Sequence, residues 1–323
     1  MAGIPSGSHV LPAVLSREPD RLVLGAALRD GTRIRGQYRI SHPRPRGGAT
    51  VPRPGPSTGA ADDNRDDRHR PVVKSSLDSE EARAALHPSP ISTVHYLLHD
   101  PTWRRRDAPA RGATSPASAT PEQQWSKRHE IRLEPNPNVL DAISNANCIV
   151  YGCGSLYTSV LPSLILKGVG AAVSRRQVPK VLLLNGWHDS ETSWTECPGS
   201  REGKRIVKQI DATGFVKAVV DALHNGRSRG SAQQGHDPTP FVTDYITHIL
   251  FPIGTEIRID EESLADFCNH PRRQKRTAIE VRGVASIPAD TCSEGSRSGG
   301  LAHHCVFDPR ALVDSLLDLA NER

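Results

Sequence analysis

Residues 147–192 constrain what this chain can fold into more than any other stretch. Two short apolar runs, CIVY at 148–151 and VLLL at 181–184, each end in a cluster of small and polar residues, and a helix-length segment separates them. That succession predicts strand, loop, helix, strand, with both loops at the carboxyl ends of their strands. In a parallel sheet those ends face the same way. Gly152, Gly154, Ser155, Thr158 and Ser159 are therefore expected on one side of a crevice, and Asn185, Asp189, Glu191 and Thr192 on the other.

The first loop has the physics of a phosphate cradle. Gly152 and Gly154 permit a sharp turn and a close approach of backbone to ligand. Pro162 is tolerated best in a first helical turn, which puts a helix start near 158–161 and its free N–H groups beside the loop. Those groups and the helix dipole favour an anion, and the hydroxyls of Ser155, Tyr157, Thr158 and Ser159 add donors. The spacing matches neither GxGxxG nor GxxxxGK[ST], so by pattern alone an unliganded strand-to-helix turn is an equal alternative.

The rest of the chain reads as two ordered blocks around a poor core former. Residues 18–41 hold two strand-like runs, 22–28 and 32–40, joined by the hairpin signal Asp30-Gly31, with Gly36 marking a bulge or a close backbone approach. Residues 43–128 are Pro-rich and charge-rich, a composition that cannot offset chain entropy, and predict a mostly disordered surface insertion with a short strand at 92–98. Order returns with a strand at 129–133 and a helix at 137–146. After the 147–192 unit come an amphipathic helix at 212–224, a strand at 246–251, a helix at 261–268 capped by Asp260, and a strand at 277–287. A last helix is opened by Asp308 and Pro309, with Leu312, Leu316 and Leu319 on its apolar face. Linkers are expected near 225–240 and 288–304. The alternation predicts an α/β, Rossmann-like parallel sheet with helices on both faces, interrupted by disordered insertions. Segments 1–42 and 129–323 flank the insertion 43–128.

Charge and cysteines exclude several classes. The formal charge of +5 is modest for 323 residues, and the basic clusters at 104–106 and 272–276 lack interleaved aromatics, which argues against nucleic-acid binding. The apolar segment 155–173 is interrupted by Pro162 and Lys167 and is a poor membrane span. Six scattered cysteines without a CxxC pair, and no secretory signal, predict a cytoplasmic chain with reduced thiols. Cys292, His303, His304 and Cys305 lack zinc spacing and read as loop residues.

GCGSLYTSVLPSLILKGVG at 152–170 resembles the GPGSLYTS segment of the CofD/YvcK-like family, which contains the 2-phospho-L-lactate transferases and the gluconeogenesis factors. LEPNPNVLDAISNANCIVYG, KVLLLNGWHDSET, the VLP and DGT-x-I-x-G segments of 9–41 and the closing FDPRALVDSLLDL are similar to further family segments. The resemblance implies a nucleotide-diphosphate-linked small-molecule ligand in the crevice and a magnesium-dependent transfer of a 2-phospho-L-lactyl-type group. The alternatives are a non-catalytic, nucleotide-sugar-binding regulator and an inactive fragment. A chain of this kind could also self-associate as a homo-oligomer. By match to the motif, Gly152, Gly154, Ser155, Tyr157, Thr158, Ser159, Asn185 and Thr192 would contact ligand. Asp189 and Glu191 would serve catalysis by holding the metal or orienting the acceptor hydroxyl, or else cap the element that follows. Asn185 would contact ligand or set loop geometry. Trp187 and Trp194 flank this loop, and His188 reads as a solvated loop histidine. Cys153 stands where relatives carry proline. A nucleophilic role for it is set aside, because phosphoryl-type transfer needs none. The family's GGTG loop and acidic segment do not occur in these 323 residues, so the chain is expected to correspond to the later part of a relative.

Overall fold

The computed structural model describes residues 10–15, 22–43, 85–98, 130–152, 154–196, 206–228, 242–269, 278–289 and 304–322. Two four-stranded sheets organise them. The first is antiparallel, in the order β2-β1-β3-β4, built from β1 (Leu22–Leu28), β2 (Arg33–Arg35), β3 (Ile91–Leu98) and β4 (Glu130–Ile131). The second is wholly parallel, in the order β10-β9-β6-β5, from β5 (Ile149–Tyr151), β6 (Lys180–Leu183), β9 (His248–Pro252) and β10 (Glu280–Val284). The parallel sheet with helices agrees with the fold class expected from sequence.

The parallel sheet is covered on both faces, as its residues require. All four residues of β6 are buried, the pattern of a central parallel strand rather than an alternating one. Leu182 and Leu184 pack into the main core with Phe215, Val216, Val219 and Leu223 of α5 (Ala212–Ser228). Val181 and Leu183 face the other way, with Leu250, Val284 and Leu319, under α7 (Pro309–Asn321). Helix α4 (Val169–Arg175) crosses α5 at Gly170, where a Cβ would lie 1.9 Å from the Leu223 carbonyl oxygen, so only glycine permits that approach.

The hairpin forms as expected. Gly31 has φ 84°, and Asp30 Oδ1 accepts from the Thr32 N–H at 2.8 Å. The second strand is shorter than its apolar pattern suggests. It ends at Gly36, whose φ of 94° turns the chain into a helical turn, α1 (Gln37–Ser41). The largest difference is β3. Read from sequence as a strand within a surface insertion, it is central to the antiparallel sheet, pairing with β1 over its whole length, because Val94 and Leu97 have a core to enter once β1 and the helices are in place. The remainder of 43–128, apart from Pro43 and 85–90, lies outside the described residues, as do Cys153, Cys292, His303 and both basic clusters.

The single helix expected from about 158 to 173 is broken. A π-helical turn (Leu156–Val160) runs into α3 (Leu161–Leu164), and α4 follows Gly168 at an angle of 78°. Gly168 has φ 83°, which halts the helix. Among the described residues no single helix is long and apolar enough to cross a membrane. The expected strand at 277–287 divides into β10 and β11 (Ser286–Pro288), and β11 pairs with β12 (Cys305–Phe307), in and beyond a region read as linker. Helices α2 (Pro137–Asn145) and α6 (Glu261–Cys268) lie where expected, and Asp260 accepts from the Ser263 N–H. A ribbon of β7 (Ser193–Glu196) and β8 (Ile206–Gln209) was not legible from the sequence.

Candidate functional site

The tips of β5 and β6 lie side by side and point the same way, because the two strands pair in parallel. Gly152 allows this contact, since a Cβ there would sit 2.6 Å from Leu183 Cβ, and its φ of 154° suits glycine. Asn185, at the end of β6, donates its side-chain N–H to the Gly154 carbonyl at 3.2 Å and ties the two tips together. Its own carbonyl accepts from Thr255 Oγ1 at 2.8 Å.

Above these tips lies a cleft of about 510 Å³, within the range of small-molecule sites. Gly154 and Ser155 line it from the first loop, Asn185, Trp187 and Asp189 from the second. The opposite wall comes from Pro252, Val306, Phe307, Pro309 and Leu312. That wall was missed from sequence. The Phe307-Asp308-Pro309 string carries a helix-start signal, and nothing local tells that β12 folds over β6. Gly186 makes the closure possible, since a Cβ there would lie 1.8 Å from the Cys305 carbonyl oxygen.

The remaining expected site residues take other places. Glu191 is 3% exposed and turned inward. Its Oε2 accepts from the backbone N–H groups of Tyr157 at 3.0 Å and Thr158 at 3.1 Å. Its Oε1 accepts from Ser41 Oγ at 2.6 Å and from the Thr158 hydroxyl. The amides expected to meet a ligand anion at Tyr157 and Thr158 are thus taken by the protein's own carboxylate. Burial, then the nearby Asp189, pushes the Glu191 carboxyl above the ordinary range, and the hydrogen bonds from Ser41, Thr158 and Tyr157 oppose that shift. The Tyr157 hydroxyl is also internal, donating to the Ile91 carbonyl at 3.1 Å, and burial raises its pKa. Ser159 is exposed on the π-helical turn and is not part of the cleft wall.

Asp189 does what a loop carboxylate next to a new element does. Its Oδ1 accepts from the N–H groups of Glu191 and Thr192 and from the Thr192 hydroxyl, each at 3.0 Å. Thr192 is buried and its hydroxyl also accepts from the Asp189 N–H at 3.1 Å, so it shapes the loop. Asp189 and Asn185 remain at the cleft. His188 is buried, not solvated. It faces Thr192 Oγ1 at 3.3 Å, and its burial pushes its pKa down to about 4, against a small opposing pull from Asp189. Trp187 sits 4.9 Å from the His304 ring between centroids, whereas Trp194 lies in β7, bridged to His87, away from the cleft.

Residues 4–252 match the family model described as 2-phospho-L-lactate transferase CofD. The chain belongs to the CofD family. An uncharacterized protein of Saccharomyces cerevisiae is 26% identical over 269 residues, which is 78% of this chain and 53% of the yeast protein. The putative gluconeogenesis factor of Thermotoga maritima is 39% identical over 161 residues, 42% of this chain and 49% of that protein. This CofD-family chain therefore spans about half the length of these two relatives. A UPF0052-family crystal structure from Bacillus halodurans aligns over 92% of this chain and 59% of its own, at 15% identity and a TM-score of 0.44.

Proposed function

We propose that this CofD-family chain binds a nucleotide-diphosphate-linked small molecule in the cleft at the β5 and β6 tips. The observation that carries the reading is the convergence of Gly154, Ser155, Asn185, Trp187 and Asp189 on one cleft at the carboxyl ends of adjacent parallel strands, where open α/β sheets bind ligands. Backbone turns at the first tip bring main chain close to the ligand, and the second tip offers an aromatic ring with polar acceptors.

A magnesium-dependent transfer of a 2-phospho-L-lactyl-type group is the catalytic form of this reading. Asp189, its orientation set by three donors on one oxygen, favours it. Hard oxygens from Asp189, Asn185 and Ser155 line the same cleft and suit a magnesium ion that arrives with phosphates and keeps part of its water shell. Such an ion would neutralise charge on the transferred group. Among the described residues no three His, Cys, Asp or Glu side chains group as a self-sufficient metal centre, so the ligand would complete the coordination. Glu191 holds the loop in place in this scheme and takes no proton from substrate. The binding-only form, a nucleotide-sugar regulator, draws on relatives that carry the name gluconeogenesis factor.

Titration calorimetry with guanosine and uridine diphosphates, with and without magnesium, tests the proposal. Saturable heat with either is expected, and it should vanish when the cleft is blocked by Gly154→Trp. Absence of heat from both in all conditions would sink the nucleotide reading. Turnover of a guanosine diphosphate-linked donor only with magnesium would mark the transferase form.

A further inference from the structure

Both helix N-termini that border the cleft are already occupied by the protein's own carboxylates. At the π-helical turn Glu191 accepts from the Tyr157 and Thr158 N–H groups. At α7, Asp308 sits between the cleft residues Phe307 and Pro309 and accepts from the Arg310 and Ala311 N–H groups, both at 2.9 Å. Asp189, in the cleft wall, adds a third carboxylate. The positions from which backbone amides would attract a phosphate therefore carry negative charge. Among the described residues that line the cleft there is no lysine, arginine or histidine to offset it. The groups that do face the cleft suit something else. Trp187 and Phe307 offer ring faces. Asn185 donates one of its two amide N–H groups to Gly154, and its side-chain oxygen stays an acceptor in the cleft that the Asp189 carboxylate also lines.

We infer that the cleft recognises its ligand through an uncharged, ring-bearing group rich in N–H or O–H donors, the nucleoside part of the ligand proposed above, and that bare phosphates add no affinity. The inference rests on the nucleotide reading and sharpens it. The Asp189 carboxylate and the Asn185 oxygen accept from donors, and the carboxylate charge repels an acceptor-only anion, because like charges near one another disfavour both ionised forms. The diphosphate then has to lie toward solvent or arrive with a cation of its own.

Calorimetry on the intact chain in metal-free, EDTA-containing buffer separates the outcomes. Guanosine is compared with guanosine diphosphate, and uridine with uridine diphosphate. Each diphosphate that binds is expected within about threefold of its nucleoside, since the wall offers no countercharge. A diphosphate that binds more than tenfold tighter than its nucleoside, or alone, overturns this inference and leaves the proposed ligand class standing. Silence from all four compounds overturns this inference, and the titrations with magnesium then decide the ligand class. The variant Asp308→Asn keeps a capping oxygen for α7 while removing one charge. It is expected to tighten diphosphate binding about threefold and leave the nucleoside unchanged. An unchanged ratio between the two overturns the role given to that charge.

Discussion

Glu191 and Thr158 are bound twice over, although 33 residues separate them. The Glu191 carboxylate accepts the Thr158 backbone N–H at 3.1 Å on one oxygen and its hydroxyl on the other. With Tyr157 and Ser41 joined to the same carboxylate, one side chain locks α1, the π-helical turn and the loop after β6 to each other. The consequences differ by substitution. In Glu191→Ala the buried donors lose their acceptor, at a cost of about 3 kcal/mol. In Glu191→Gln the amide oxygen can still serve the two N–H groups, and the Ser41 and Thr158 hydroxyls can rotate to accept from the amide nitrogen, so the cost is about 1 kcal/mol. Urea unfolding of the two variants should show that ordering, and equal midpoints would refute it.

His188 predicts a pH dependence of the opposite sign to that of Glu191. Its folded pKa of about 4 lies below the ordinary 6.5, so its contribution is fully present above pH 6.5 and is lost as pH falls through 4. The loss amounts to about 3 kcal/mol. Glu191 is raised above the ordinary 4.5, so its contribution is present below that pH and is lost as pH rises through the folded value. Between pH 4.5 and 6.5 the two therefore oppose one another. Replacing His188 with Gln should leave a protein whose stability no longer improves from pH 4 to 6.5. A variant that keeps the full slope of the parent would show that another group carries it.

Gly186 tests how the cleft is closed. A Cβ at this position would meet the Cys305 carbonyl oxygen at 1.8 Å, which is backbone and cannot rotate away. Gly186→Ala should push β12 from the tip of β6, lower stability by about 1–3 kcal/mol, and weaken ligand binding more than Gly254→Asn in the nearby turn. Differential scanning calorimetry with and without ligand reads both effects, and a variant that melts with the parent would count against the close packing.

Trp187 separates binding from folding. It is half-buried in the cleft wall and touches His304, with no place in either apolar core. Trp187→Ala should reduce ligand affinity about tenfold while changing stability by about 1 kcal/mol or less. The converse is expected of Leu182→Ala, which empties a site in the main core and should cost about 2–5 kcal/mol without altering the affinity of the folded protein. Paired denaturation and binding curves check the contrast.

Periodicity and turn chemistry acted locally, and local features were legible. The Asp30-Gly31 hairpin, the Asp260 and Asp308 caps, the α5 stripe and the pairing of the β5 and β6 tips all follow from short-range rules about backbone freedom, capping and apolar spacing. The broken helix at Gly168 was in reach as well, since a glycine inside an apolar helical stretch is a stop signal.

What the amino-acid order determined by itself was the strands of the parallel sheet, most of the helices and which two loops share a sheet edge, because those depend on neighbours a few residues away. Only the tertiary structure decided which groups in those loops are free. Glu191, Thr192, Tyr157 and Thr158 read as ligand-facing in a linear string, yet they satisfy one another, because a buried donor or acceptor must find a partner and the nearest one in space came from another loop. Phe307 and Leu312 entered the site in the same way, carried there by β12, a strand whose partner across the fold no local pattern could specify, and by the helix that follows it.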